Sequence, residues 1–142
     1  MRLRLATLAI GLAASAPGHA QGARDTCSGI DPFAMRKCVS SRIERKEQRM
    51  AQLFAQARRV VARNFARYGN NDRRTSPTFL EQSQTAWKHF VDSNCTVVAA
   101  YSGGSNSAIS DRLMHCYEGE LDRRILFLRD VAKGIGIVDL KG

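Results

Sequence analysis

The chain has 142 residues, 44% of them hydrophobic and 25% charged, with 22 Lys+Arg against 13 Asp+Glu for a formal charge of +9. That length carries one core, and that balance excludes both a disordered chain and a multidomain enzyme. Arginine supplies 17 of the cations, and its planar fork suits phosphate and carboxylate, so composition by itself suggests a nucleic-acid binder.

The first twenty residues change that reading. Arg2 and Arg4 make a charged start, Leu5 to Ala14 an apolar run, and Gly18-His19-Ala20 places small residues where a signal peptidase reads them. The apolar run is about ten residues, half of the roughly 20 that cross a bilayer as a helix, so the expectation is a cleaved signal peptide over 1–20 and no transmembrane segment afterwards. The first cysteine, Cys27, follows Ala23-Arg24-Asp25-Thr26 and makes no lipoprotein motif. A single helical domain over 21–142, periplasmic or secreted, is expected, with Arg2 and Arg4 gone and a formal charge of +7.

Export makes the cysteines legible as disulfides, because Cys27, Cys38, Cys95 and Cys116 are an even number in an oxidising compartment. A metal site is not expected: no Cys-x-x-Cys occurs, and His19, His89 and His115 are scattered. No cofactor is expected either. His115 and Cys116 are adjacent, and neighbouring side chains on a helix diverge by about 100°, too far for a nucleophile and its base.

From residue 31 onward the periodicity is helical. Asp31-Pro32 is an N-cap followed by proline at the first helical position. Val39, Ile43, Met50, Leu53/Phe54, Ala57, Val60/Val61, Phe65 and Tyr68 recur at three-and-four spacing until Gly69-Asn70-Asn71-Asp72 stops the run, so the first helix spans 33–68, roughly 54 Å if unbroken. Ser76-Pro77 starts a second helix, with Phe79/Leu80, Ser83, Ala86/Trp87, Phe90/Val91, Asn94 and Val97/Val98 along its stripe to Tyr101. Ser102-Gly103-Gly104-Ser105-Asn106-Ser107 breaks it as a hairpin turn, and Ser110-Asp111 caps a third helix whose stripe is Leu113/Met114, Tyr117, Glu120/Leu121, Arg124/Ile125 and Leu128. Gly134-Ile135-Gly136-Ile137 reads as an irregular tail with room for a short strand. The predicted fold is all-α, a small bundle of about three helices in which a long first helix packs on a disulfide-linked hairpin.

The hairpin allows a test of cysteine pairing. Cys95 and Cys116 lie equally far from a tip at the Ser105-Asn106 bond, so an antiparallel hairpin sets them abreast, as a disulfide's Cα separation of about 5.5 Å requires. Cys27 then pairs with Cys38 by elimination. The same mirror sets Trp87 opposite Arg124 and predicts a cation–indole contact.

These residues carry a resemblance. Gln84-Thr85-Ala86-Trp87, Asp92, Cys95, the Gly103-Gly104-Ser105 loop, Cys116 and Arg124 are similar in their joint spacing to the bacterial LprI-type family of lysozyme-inhibitor-like domains, over roughly residues 27–128. The resemblance implies a small, exported, helical, disulfide-containing protein, with lysozyme or another cell-wall hydrolase as its partner. Gln84, Trp87, Asp92, Gly104, Ser105 and Arg124 are the motif positions, read as structural. Val91 stands where the family tends to have Arg, and Leu121 where it often has Thr.

Sorting the charge by position sharpens the functional classes. Residues 36–74 hold twelve cations and three anions, whereas 75–142 hold seven and eight. Common lysozymes are basic with an acidic cleft, so a basic inhibitor meets repulsion across a Debye length of about 8 Å unless a loop such as Arg73-Arg74 inserts at the carboxylates. The alternative is a basic helix, with Arg58, Arg59 and Arg63, docking on anionic envelope surfaces such as lipid phosphate or wall polymer. Against both stands a merely solvated outer face. Nucleic acid is disfavoured by export and by the lack of clustered aromatics beside the arginines. No paired carboxylates, Ser/His/Asp set or phosphate loop appears, so no enzyme activity is expected.

Overall fold

The helix boundaries are set by side chains that satisfy otherwise orphaned backbone groups. The computed structural model of the chain describes residues 27, 31–68 and 73–134. The signal segment, the Gly69–Asp72 stop and the tail after Gly134 lie outside the described residues. Helix α1 (Pro32–Tyr68) runs 37 residues, about 55 Å. Asp31 starts it: its Oδ1 accepts from the backbone N–H of Phe33 at 3.0 Å and of Ala34 at 3.1 Å.

A single 3₁₀ turn at Arg73–Thr75 leads into α2 (Pro77–Tyr101). Ser76 is its N-cap, accepting from Phe79 N–H at 3.2 Å and donating its hydroxyl to the Arg73 carbonyl at 2.6 Å. Past Tyr101 the chain reverses through Gly103 and Gly104, whose φ of 63° and 100° favour residues without a Cβ. Ser105 then caps α3 (Asn106–Lys133), its hydroxyl accepting from Ala108 N–H at 3.3 Å, and Gly134 closes it in the left-handed conformation. The start of α3 therefore differs from the Ser110-Asp111 expected from sequence. Ser105 reaches the exposed N–H groups first, and Ser110 and Asp111 fall inside the second turn.

The two disulfides join Cys95 to Cys116, with Cα atoms 5.5 Å apart, and Cys27 to Cys38 at 5.8 Å. The first crosses the α2–α3 hairpin, and the second ties Cys27 to the second turn of α1. Helix α3 lies between the others, packing extensively on α1 and along α2, while α1 and α2 touch little. Three ion pairs on α1 and α3 join residues at a nearly constant offset: Arg36 to Asp111, Arg42 to Glu118, Lys46 to Asp122. A constant offset means that α1 and α3 run parallel, with α2 antiparallel to α3.

Met50, Leu53, Ala57 and Val61 of α1, Leu80 of α2, and Leu121 and Leu128 of α3 form the core, with Phe54, Trp87, Tyr117 and Ile125 against it. Helix α2 corrects one expectation. Its buried face is Leu80, Gln84, Val91, Cys95 and Ala99, whereas Phe79, Ala86, Phe90, Val97 and Val98 of the expected stripe are exposed. The bridge fixes the rotation: once Cys95 points at α3, Val97 is about 200° around the helix and Phe90 about 140°.

Candidate functional site

The cations of α1 divide into two groups. In its first half Arg36, Arg42 and Lys46 are matched by carboxylates of α3. Arg42 forks onto Glu118, with Nη2 to Oε2 at 2.7 Å and a second, shorter contact from Nε to Oε1. Lys46 reaches Glu118 at 2.8 Å and Asp122 at 2.7 Å, and Arg36 reaches Asp111 at 3.1 Å. Burial works to raise the Glu118 carboxyl, but hydrogen bonds and charge from Arg42 and Lys46 outweigh it and hold the group below its ordinary range. For Lys46, burial pulls downward, and Asp122 and Glu118 outweigh it, so its ammonium titrates above its ordinary value.

In the second half of α1 the outward face is basic and uncompensated. Between Arg49 and Tyr68 there is no acidic residue. Arg49, Arg59, Arg63 and Arg67 are exposed on one face with Gln52 and Gln56, and none has a carboxylate partner among the described residues. Of the arginines singled out from sequence, Arg58 is tied to Glu81 on α2 at 2.6 Å. Arg73 and Arg74 are exposed on the 3₁₀ turn. Arg59 and Arg63 remain on the outward face.

The motif positions gather in the hairpin. Arg124 is buried, and its Cζ stands 5.7 Å from the centroid of the Trp87 ring and 4.7 Å from that of Phe127. Its Nε donates to the Gln84 side-chain oxygen at 2.9 Å and its Nη2 to the Ser83 hydroxyl at 3.3 Å, while the Gln84 amide donates onward to the Met50 sulfur at 3.6 Å. No carboxylate pairs with this guanidinium among the described residues, and burial lowers its pKa. Two aromatic faces and neutral oxygens offset a charge that elsewhere takes an anion. Gly104 and Ser105 shape the turn, and Asp92 is exposed on α2.

Because α1 and α2 meet only briefly, they leave an open groove of about 650 Å³ above α3. Leu113, Met114 and Tyr117 of α3 floor it; Ile43, Glu47 and Met50 line it from α1, and Trp87, Lys88 and Asp92 from α2. The Tyr117 hydroxyl donates to Glu47 Oε1 at 2.6 Å, and burial together with that carboxylate pushes the phenol up to about 12. Glu47, Tyr117 and Glu118 were not among the expected site residues. A signal for one of them is present: Asp111, Glu118 and Asp122 are seven and four residues apart, one acidic face of a helix.

Among the described residues no group of three metal-ligating side chains converges, and no helix is long and apolar enough to cross a membrane. No curated protein and no solved structure matches the chain. The model of a family described as lysozyme inhibitor LprI matches residues 25–128, a span that takes in both disulfides, the hairpin and the groove. With most of its length covered by that match, the chain belongs to the LprI lysozyme inhibitor family.

Proposed function

We propose that this protein is an exported binding protein, not an enzyme, that inhibits a cell-wall hydrolase of the lysozyme class. The family match over residues 25–128 carries the reading. In it, residues 1–20 are a cleaved signal peptide, residues 21–142 form one domain, and the site of action is the periplasm or the medium. The arrangement of charge supports it by easing the repulsion expected between two basic proteins. The outward arginines sit on one side of α1, whereas the groove presents Glu47 and Asp92, so a basic hydrolase can approach without facing the arginine row. A cell-wall lysis assay against lysozymes of several types tests this directly. Inhibition at micromolar protein is the expected result, and undiminished lysis across all types rejects the reading.

A second reading is favoured by Arg49, Arg59, Arg63 and Arg67, exposed and without a carboxylate partner among the described residues: the basic helix docks on anionic envelope surface. Such contact is charge-driven, so retention on phosphatidylglycerol-containing vesicles at low salt should disappear at high salt. Retention that is unaffected by salt, or absent at low salt, removes it.

A further inference from the structure

We infer that the groove between α1 and α2 receives a lysine or arginine side chain of a basic protein partner, laid along Trp87 with its charge at Glu47 and Asp92. The inference deepens the binding reading above and rests on it for the partner, but the chemistry of the groove is independent.

The argument begins with the local sign of charge. The whole chain is strongly cationic, yet this groove holds two carboxylates and one ammonium, Lys88, over an apolar floor. An anionic ligand would face Glu47 and Asp92. A purely apolar one would cover both carboxylates and strip their water without replacing it. A long cationic side chain meets both demands, because its methylene stem lies on Met50, Leu113 and the indole while its head reaches the carboxylates. Tyr117 already donates to Oε1 of Glu47 at 2.6 Å, which holds that carboxylate at the groove and leaves its other oxygen to accept from the guest. Trp87 is itself suited to cations, since Arg124 stands over the same ring. Charge complementarity with a basic hydrolase then selects the occupant.

Trp87 is the single tryptophan of the chain, so its emission reports the groove. The test titrates the full protein at low ionic strength with a short, non-fluorescent arginine peptide, and in parallel with a glutamate peptide of equal length. A saturable change with the arginine peptide alone is expected. In the Glu47→Gln/Asp92→Asn double variant the apparent Kd should weaken about tenfold, the loss of two partly exposed charge contacts. Glu47→Gln retains an acceptor for Tyr117, and a melting curve verifies the fold. Lys88→Ala should tighten binding, and Arg59→Gln/Arg63→Gln should leave the arginine peptide bound. No saturable change in the parent chain, or identical titrations for parent and double variant, overturns the inference. Lysozyme inhibition measured on the same proteins separates the two ideas. A parent that binds the peptide but inhibits no lysozyme sinks the inhibitor reading and leaves the groove standing. A double variant that inhibits as well as the parent while losing the peptide removes the groove from the hydrolase interface.

Discussion

Helix α3 meets buried or partly buried cations on each of its two seams, and the two seams are solved in opposite ways. Toward α1, Arg42 and Lys46 converge on Glu118. Toward α2, Arg124 has no anion among the described residues and rests on Trp87, Phe127, Gln84 and Ser83. The difference follows from what else holds each seam. The α2–α3 hairpin is crosslinked by Cys95–Cys116, so the cation there need not hold the helices together, and aromatic faces with an amide suffice. Between α1 and α3 the described residues include no covalent link, and a ladder of ion pairs with a constant offset sets their parallel register. Buried ion pairs cost desolvation and gain specificity of alignment, which is what two long parallel helices need and a short crosslinked hairpin does not.

If that contrast is right, the largest single polar effect belongs to the ionic seam. Glu118→Gln leaves two partly buried cations facing a neutral amide, and we expect a loss of about 4 kcal/mol by denaturant unfolding. An effect under about 1 kcal/mol would show that the seam is held by apolar packing alone. Replacing Cys95 and Cys116 with alanine should cost about 3 kcal/mol, through the freedom returned to the unfolded loop. The same double variant should leave the Glu118→Gln loss unchanged, since the two sites lie on separate seams. Trp87→Phe should cost about 1 kcal/mol, because it weakens the cation–ring contact while retaining a ring. An unchanged melting temperature would mean that Arg124 relies on Phe127 and Gln84 instead.

The smallest effect is the pH dependence, and its sign differs between two groups of the α1–α3 seam. Glu118 titrates below the ordinary value of 4.5 when folded, so the unfolded chain binds its proton more readily. Its contribution is present at neutral pH and is lost as the pH falls from about 4.5 through the lowered folded value. Melting temperature should therefore fall less steeply in acid for Glu118→Gln than for the parent. At the alkaline end Tyr117 acts in the opposite sense. Its pKa is raised from 10.0 to about 12, so stability held below pH 10 is lost on going toward 12, and Tyr117→Phe should flatten that limb. Parallel slopes for parent and variants at both ends would contradict these assignments.

Much of the fold is written locally. Asp31-Pro32 and Ser76-Pro77 announce helix starts because a short acceptor side chain and a proline without an N–H suit those positions whatever the rest of the chain does. The Cys95/Cys116 and Trp87/Arg124 pairs were legible for a related reason: in an antiparallel hairpin, distance from the tip determines what lies abreast. The site was less legible. Val97 and Val98 fit a helical stripe as well as Val91 and Ala99 do, and only the direction of the Cys95 bridge decides which set is buried. From sequence the cap of the third helix falls at Ser110-Asp111, whereas the reversal through Gly103 and Gly104 brings Ser105 first to the free N–H groups.

The charge shows the same division. Sequence alone determined that the basic excess lies on the first helix and that the acids lie after it, since both are matters of order along the chain. Only tertiary structure decided which cations are spent. The parallel packing of α1 against α3 brings Arg36, Arg42 and Lys46 within reach of Asp111, Glu118 and Asp122, residues about 75 positions away. It turns Arg49, Arg59, Arg63 and Arg67 outward, and it leaves Glu47 at a groove that exists because α1 and α2 part above α3. A charge has a fixed sign in the sequence, but its partner and its hydration are properties of the space around it.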